Sequence, residues 1–445
     1  MKNILLMLFT TIGIFMSSCE KPVEGLNDNP NEFTDAPISL LLNHTLLNVA
    51  SIAEAEPARI SAIFTDQFTG VDRQYGTLNG YSTLATTYEE MWEDLYQRGI
   101  SQAQITKQKA QDGNNSLIEG QALILEAYYF AEAALVFGDI PFSEVNNPEM
   151  PDPKYEAQES VLRATIEMIK EGISKSGSIS ASNNIFKTSS TWSQIGNALL
   201  ARYYLALGDM VNANSAATAA NFTSSDNDWS IKHSSANYGE NLFWQFEVEQ
   251  RQDYLKVENS YMSNLLNSKT DVYRGNSKTD ETARFNYYVA PNGLSLNTTT
   301  GFASQTRSFP VISFEEIQLI IAESSTTETE AIKALNKVRN HNAIKYNSKY
   351  DDYLLSDFQP NGILNKGLST KDAIKMEILL EKYCSVIGLP TFQDVLRTKN
   401  FIGVPIKSSE TNVIPQRFIY PSTEESSNSN FPGYTDQFVP TPIYR

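Results

Sequence analysis

The feature that most constrains the fold is a recurring unit, an alanine-rich amphipathic run closed by a glycine. From Leu117 to Phe137, Ala122, Leu125, Tyr129, Ala133 and Val136 recur every three or four residues, the spacing of one helix face, and small alanines let a neighbouring helix approach closely. The run ends at Gly138-Asp139-Ile140-Pro141, where glycine suits a left-handed terminal residue and proline blocks continuation. Trp192 to Leu207 repeats the design, with Ile195, Leu199, Arg202, Tyr203 and Ala206 on a stripe before Gly208 and a second alanine-rich run, Met210 to Ala220. Phe314 to Glu323 with Ala331 to Asn340 forms a third pair, and Lys371 to Val386 a further helix. Helix, Leu-Gly-Asp turn, helix is the layout of tetratricopeptide-like repeats, here with an irregular period.

The remaining chain fills in around these pairs. Leu40 to Ala50 and Ala58 to Phe68 have helical patterning, and Tyr88 to Lys109 places Tyr88, Trp92 and Tyr96 on one face. Asp72 to Thr83 reads as a Gly-, Tyr- and Asn-rich loop. Residues 221–312 are polar, aromatic-rich and poorly periodic, and 389–445 are rich in Pro, Asn and Ser. The expected fold is mostly α: a tetratricopeptide-like helix-pair scaffold beside a loop-rich region carrying a few short strands. It occupies 37–445 as one domain, with 221–312 and 389–445 loop-rich.

The N-terminus reads as an export signal. Met1-Lys2-Asn3 precedes an apolar run from Ile4 to Met16, and Ser17-Ser18-Cys19 follows. As a helix the run rises only about 1.5 Å per residue, well short of a bilayer core of roughly 30 Å. Small residues directly before a cysteine make a lipobox, with Met16 at the usual leucine position. This assigns 1–18 as a lipoprotein signal peptide, Cys19 as the acylated anchor and 19–36 as a lipidated tether ending in the turn-forming Asn27-Asp28-Asn29-Pro30-Asn31. After Cys19 no apolar run approaches spanning length. The only other cysteine, Cys384, has no disulfide partner within the chain and is expected to be a buried small hydrophobe.

Composition and motif spacing then narrow the function. Removal of residues 1–18 takes the formal charge from −17 to −18, which argues against nucleic acid and against anionic headgroups as partners. The three histidines, His44, His233 and His341, are in no metal-ligand spacing, and no hydrolase or P-loop motif occurs. Adjacent acids such as Glu89-Glu90, Glu315-Glu316 and Asp351-Asp352 diverge by about 100° on a helix and are expected on solvated faces. Asp226-Asn227-Asp228 lacks the glycine and distal glutamate of an EF-hand loop. No catalytic residue, metal or cofactor is therefore expected, and a structural calcium is unsupported.

Aromatic residues are the remaining signal, with 22 Tyr, 22 Phe and 4 Trp. Those on helical stripes, such as Trp92, Tyr129 and Tyr203, belong to the core. Those in polar, Gly-rich stretches are harder to explain by burial. Tyr75 and Tyr81 flank Gly76 and Gly80 just after Asp72 and Arg73, while Trp229, Trp244, Tyr287 and Tyr288 lie in the irregular middle. Flat faces stack on the C–H faces of sugars, and Asn, Asp and Arg direct hydrogen bonds to hydroxyls. Asp72, Arg73, Tyr75, Tyr81, Trp244 and Tyr287 are the candidate ligand-binding residues.

Several segments, in order along the mature chain, resemble the SusD/RagB family of nutrient-binding outer-membrane lipoproteins. They are Asn29-Pro30-Asn31, the stretch from Val136 to Glu144, the stretch from Val311 to Glu323, Glu377 to Tyr383, and Ile414 to Pro421 followed by Glu424 and Asn430. The resemblance implies a helical scaffold and a cell-surface lid over a SusC-like TonB-dependent β-barrel transporter in the outer membrane, capturing oligosaccharide, or peptide in some branches. Glu20-Lys21 with Glu24 resembles a surface-export signal of that bacterial group. A structural adaptor without its own ligand is the competing expectation, separated by whether Tyr75, Tyr81 and Trp244 converge on an exposed groove.

Overall fold

Each predicted helix pair forms, and side-chain caps fix where the helices start. A computed structural model describes residues 36–445; the signal peptide, Cys19 and all but the last residue of the tether lie outside the described residues. The first helices are α1 (Ile38–Ala53), α2 (Glu56–Phe64) and α3 (Arg73–Asn79). Residues 85–112 then run through 3-10 and π turns into α4 (Ser101–Asp112). The scaffold continues with α5 (Ser116–Phe137), α6 (Gln158–Ser176), α7 (Trp192–Ala206) and α8 (Met210–Ala220). It resumes with α9 (Phe314–Ser324), α10 (Glu328–Tyr346), α11 (Thr370–Ser385) and α12 (Leu389–Arg397). Asn115 caps α5, Thr191 with Gln194 forms a capping box on α7, and Asp209, Ser313, Thr327 and Ser369 cap α8 to α11. Each accepts a backbone N–H that the helix itself cannot satisfy.

From α4 to α10 each scaffold helix packs on the one before it. Where α5 meets α6, glycines face each other. A Cβ on Gly120 would lie 2.7 Å from the Gly172 carbonyl oxygen, and one on Gly172 would lie 2.8 Å from that of Gly120. α9 packs on α8 although residues 221–313 separate them. The reason is a three-stranded antiparallel sheet: Trp229–Ile231 pairs with Phe186–Lys187 on one side and with Phe309–Ile312 on the other. The excursion is thus closed at its base, and the chain re-enters the stack beside the helix it left. Two further two-stranded pairs, Thr69–Gly70 with Leu255–Lys256 and Ile140–Pro141 with Tyr155–Glu156, complete the sheet structure among the described residues. Residues Leu41–Arg445 form one compact unit.

Several expectations change. α6 is an additional helix, whose Val161, Leu162, Ile166 and Ile169 are buried at helical spacing; that spacing is the signal for it. The segment expected as a loop at 72–83 contains α3, and the tail expected to be irregular opens with α12. Ile38–Phe64 is, by length and composition, apolar enough to cross a membrane. The helix breaks there at Glu54 and Ala55, and fully buried Glu54 accepts the Leu242 N–H at 3.0 Å beside His233 Nε2 at 2.8 Å.

A further change concerns buried charge. Glu315 and Glu316 are 2% and 1% exposed, not solvated. Adjacent on α9, they diverge as helical neighbours must. Glu316 takes a bidentate grip from Arg202 of α7, both bonds 2.7 Å, while Glu315 meets Lys345 at 2.8 Å and His341 at 3.3 Å. Burial alone would raise the Glu315 carboxyl, but Lys345 and His341 outweigh it and hold it well below the carboxylate range. A larger knot ties the excursion to α11. Arg274 reaches Glu281, Glu377 and Glu381 at 2.7 to 2.8 Å, and Arg284 reaches Glu381 at 2.9 Å. Cys384 beside it is buried, with its thiol pushed up to about 12 by burial.

Candidate functional site

One surface gathers exposed polar side chains over packed aromatic rings. The strand pair of Thr69–Gly70 with Leu255–Lys256 brings the two ends of this site together, and Val71 N–H donates to the Tyr254 carbonyl at 2.9 Å. On one side α3 starts at Asp72, whose carboxylate accepts the Arg73 N–H at 3.0 Å. On the other, a turn from Leu242 runs through a π-helical segment, Gln245–Gln250, into Arg251-Gln252-Asp253-Tyr254.

The floor is aromatic. The Tyr75 ring lies 4.8 Å from Phe246 and 6.2 Å from Tyr254. Arg59 of α2 donates from Nε to the Tyr75 hydroxyl at 2.8 Å and lays its guanidinium 4.2 Å from the Phe246 ring centre, a cation–π contact made stronger by burial. Glu247 accepts the Leu255 N–H at 3.1 Å beneath this layer, and its burial pushes the carboxyl up to about 8.

The rim is polar. Asp72, Arg73, Gln74, Gln250, Arg251 and Asp253 are exposed. Arg73 and Arg251 hold their guanidinia each 6.0 Å from the Tyr254 ring centre. Arg73 has a φ of +44°, a left-handed conformation uncommon outside glycine and characteristic of sites where position matters more than local comfort. Such a rim offers N–H donors, carboxylates and amides to solvent. That is the chemistry for gripping a neutral polyhydroxylated ligand by directed hydrogen bonds.

The candidate residues are therefore divided by the structure. Asp72 and Arg73 stand on the rim. Tyr75 joins it only as floor, at 1% exposure, and presents no open face. Tyr81 is 2% exposed and sits elsewhere, edge-on to Phe64 at 6.0 Å, with its hydroxyl accepting the Lys407 N–H at 3.1 Å. It is a core pin between α2 and the tail. Trp244 is half-buried and begins the turn that leads into Gln245–Gln250; among the described residues it has no aromatic or cation–π partner. Tyr287 is half-buried at a second place, against Tyr288 and Tyr346 at 5.0 and 5.6 Å, with Arg307 5.4 Å from its ring centre. Trp229 stacks on Phe186 at 4.3 Å inside the sheet, and Tyr288 is buried, its hydroxyl donating to the Cys384 carbonyl.

Arg251 on the rim and Tyr254 in the floor, 8% exposed, were not anticipated; the unbroken polar run Gln250-Arg251-Gln252-Asp253 before Tyr254 was the available signal. Asp226-Asn227-Asp228 is committed to structure. Asn227 receives the N–H groups of Thr223 and Ser224, and Asp228 receives that of Phe314 at 2.6 Å. Among the described residues no group of three or more His, Cys, Asp or Glu side chains is placed to hold a metal ion.

Residues 30–421 match the family SusD-like_2, described as starch-binding associating with outer membrane. No curated protein matches the chain. Among solved structures it is similar to a SusD/RagB family protein from Bacteroides thetaiotaomicron, at 18% identity over 89% of this chain and 95% of the other, with a TM-score of 0.65. It is also similar to a chitin-binding SusD homologue from Flavobacterium johnsoniae, at 12% identity over 90% and 98%, TM-score 0.66. A SusD homologue from Parabacteroides distasonis gives 13% identity over 92% and 97%, TM-score 0.66. A family match over most of the sequence, on a fold shared along nearly the whole chain, makes this protein a member of the SusD/RagB family.

Proposed function

We propose that this protein is a cell-surface nutrient-binding lipoprotein, held to the outer membrane through Cys19, that captures oligosaccharide and passes it to a SusC-like TonB-dependent transporter. The observation that carries the reading is the exposed Asp72-Arg73 and Arg251 rim over Tyr254, itself 8% exposed, with half-exposed Trp244 on the turn leading into it. The family's starch-binding description and the chitin-binding relative support a glycan as cargo. The chain acts by binding, without turnover.

Isothermal titration of the mature chain against starch and chitin oligosaccharides and a peptide panel tests this. Heat of binding with a glycan and intact sugar afterwards is the expected result. Binding confined to peptides would make it a RagB-like peptide receptor, and bond cleavage would overturn the binding role. A second reading, a structural lid without its own ligand, draws on the burial of Tyr75 and Tyr81. It predicts no heat with any ligand but retention of the transporter in a pull-down.

A further inference from the structure

A second surface, sharing no residue with the rim, is a groove of about 1070 Å³ between α8, the start of α10 and the start of α11. Lys333 and Lys337 are one turn apart on α10, and Lys371 and Lys375 are one turn apart on α11; such pairs share a helix face. The two helices pack together, so four ammonium groups border one groove. None of the four is in an ion pair among the described residues; Lys375 lies over the Phe401 ring at 4.8 Å. Against them stand Glu328 and Glu330 on the rim, and Glu323, whose carboxylate is already held by Arg397 at 2.6 and 2.7 Å.

That concentration of unpaired cations is unusual in a chain of net charge −17. The facing wall on α8 exposes aliphatic side chains, Val211 at 74% and Met210 at 38%, beside Asn214 and Ser215, while Ile374 and Ile378 of α11 line the groove at 4% and 2% exposure. No aromatic side chain lines the groove, so a sugar would find nothing to stack on. A concave channel between helices also does not fit a flat lipid surface. What it matches is a chain with carboxylates on one side and aliphatic side chains on the other.

We propose that this groove docks an acidic, aliphatic-anchored peptide segment of a partner protein. The lysines set register and encounter rate, and Val211 and Met210 supply the apolar contact.

The probe is a fluorescein-labelled peptide of repeated Glu-Leu-Ser-Gly, followed by anisotropy with the mature chain. Binding should weaken as salt rises. It should fall at least about tenfold in the quadruple variant Lys333→Glu, Lys337→Glu, Lys371→Glu, Lys375→Glu and by a comparable factor in Val211→Asp. Val211→Asp alters one exposed position, so it keeps the test valid if the quadruple variant does not fold. A Lys-Leu-Ser-Gly peptide should not bind. Unchanged affinity in Val211→Asp, or equal binding of polyglutamate, would overturn the proposal. So would preference for vesicles containing phosphatidylglycerol, or for polygalacturonate, over the peptide.

Discussion

Arginine appears in two settings in this molecule, and the contrast separates holding from gripping. Around Glu381, Arg274 and Arg284 are 7% and 0% exposed and tie the excursion of residues 221–313 to α11. At the candidate site, Arg73 and Arg251 are exposed, and the only ion pair either makes among the described residues is Arg73 to Asp72 at 3.9 Å. A charge removed from water must have its partners built in, because an unpaired one is destabilising by several kcal/mol. A charge left in water contributes little to stability and is free to meet a ligand.

The sharpest way to break this contrast is at the hub. Burial alone would raise the Glu381 carboxyl, but Arg284 and Arg274 outweigh it and hold it well below the ordinary range. Glu381→Ala leaves two buried guanidinia short of a partner and should lower unfolding free energy by about 3–5 kcal/mol in a urea titration. A loss as small as that of a surface variant would mean the knot is solvated in solution. Next in size is Trp244→Ala. It should weaken glycan binding about tenfold, or about 1.4 kcal/mol by calorimetry, while leaving the fold intact. If affinity is unchanged, Trp244 is packing and the grip lies with the polar rim of Arg73 and Arg251.

Glu247 lies between the two settings, buried like the knot but placed under the rim. Its carboxyl, raised from 4.5 to about 8, holds a proton more tightly folded than unfolded. Its contribution is therefore complete below 4.5 and is lost as pH rises through about 8. Glu247→Gln should flatten the decline of Tm between about pH 4.5 and 8; parallel curves for the two proteins would show that Glu247 is ionised at neutral pH. The smallest effect is expected from Arg73→Ala, within about 0.5 kcal/mol of wild-type stability but with measurably weaker glycan binding. Loss of stability without loss of binding would move Arg73 from the gripping class to the holding class.

The helix pairs were legible because their causes are local. Alanine stripes, the Gly138 and Gly208 stops and the Thr191, Asp209 and Ser313 caps all act within a few residues. Gly138 shows how far that reaches: its φ of +91° was expected from the helix end. That a Cβ there would lie 3.0 Å from Arg417 Nη2 was not, because Arg417 comes from the distant tail. The candidate site was half legible. Asp72 and Arg73 declared themselves as polar residues beside loop aromatics, but nothing local distinguished Tyr75 and Tyr81, which are buried, from Trp244, which is not fully so.

Helical class, pairwise layout and family could be read from local order along the chain, since periodicity, capping and ordered motifs are properties of neighbouring residues. Which charges are buried and which aromatic faces meet water emerges only on folding. Arg202 meets Glu316 across 114 residues, and Tyr254 meets Arg73 only because two short strands pair. Burial is a sum over contacts from distant segments, so a residue's exposure is not encoded in the residues beside it.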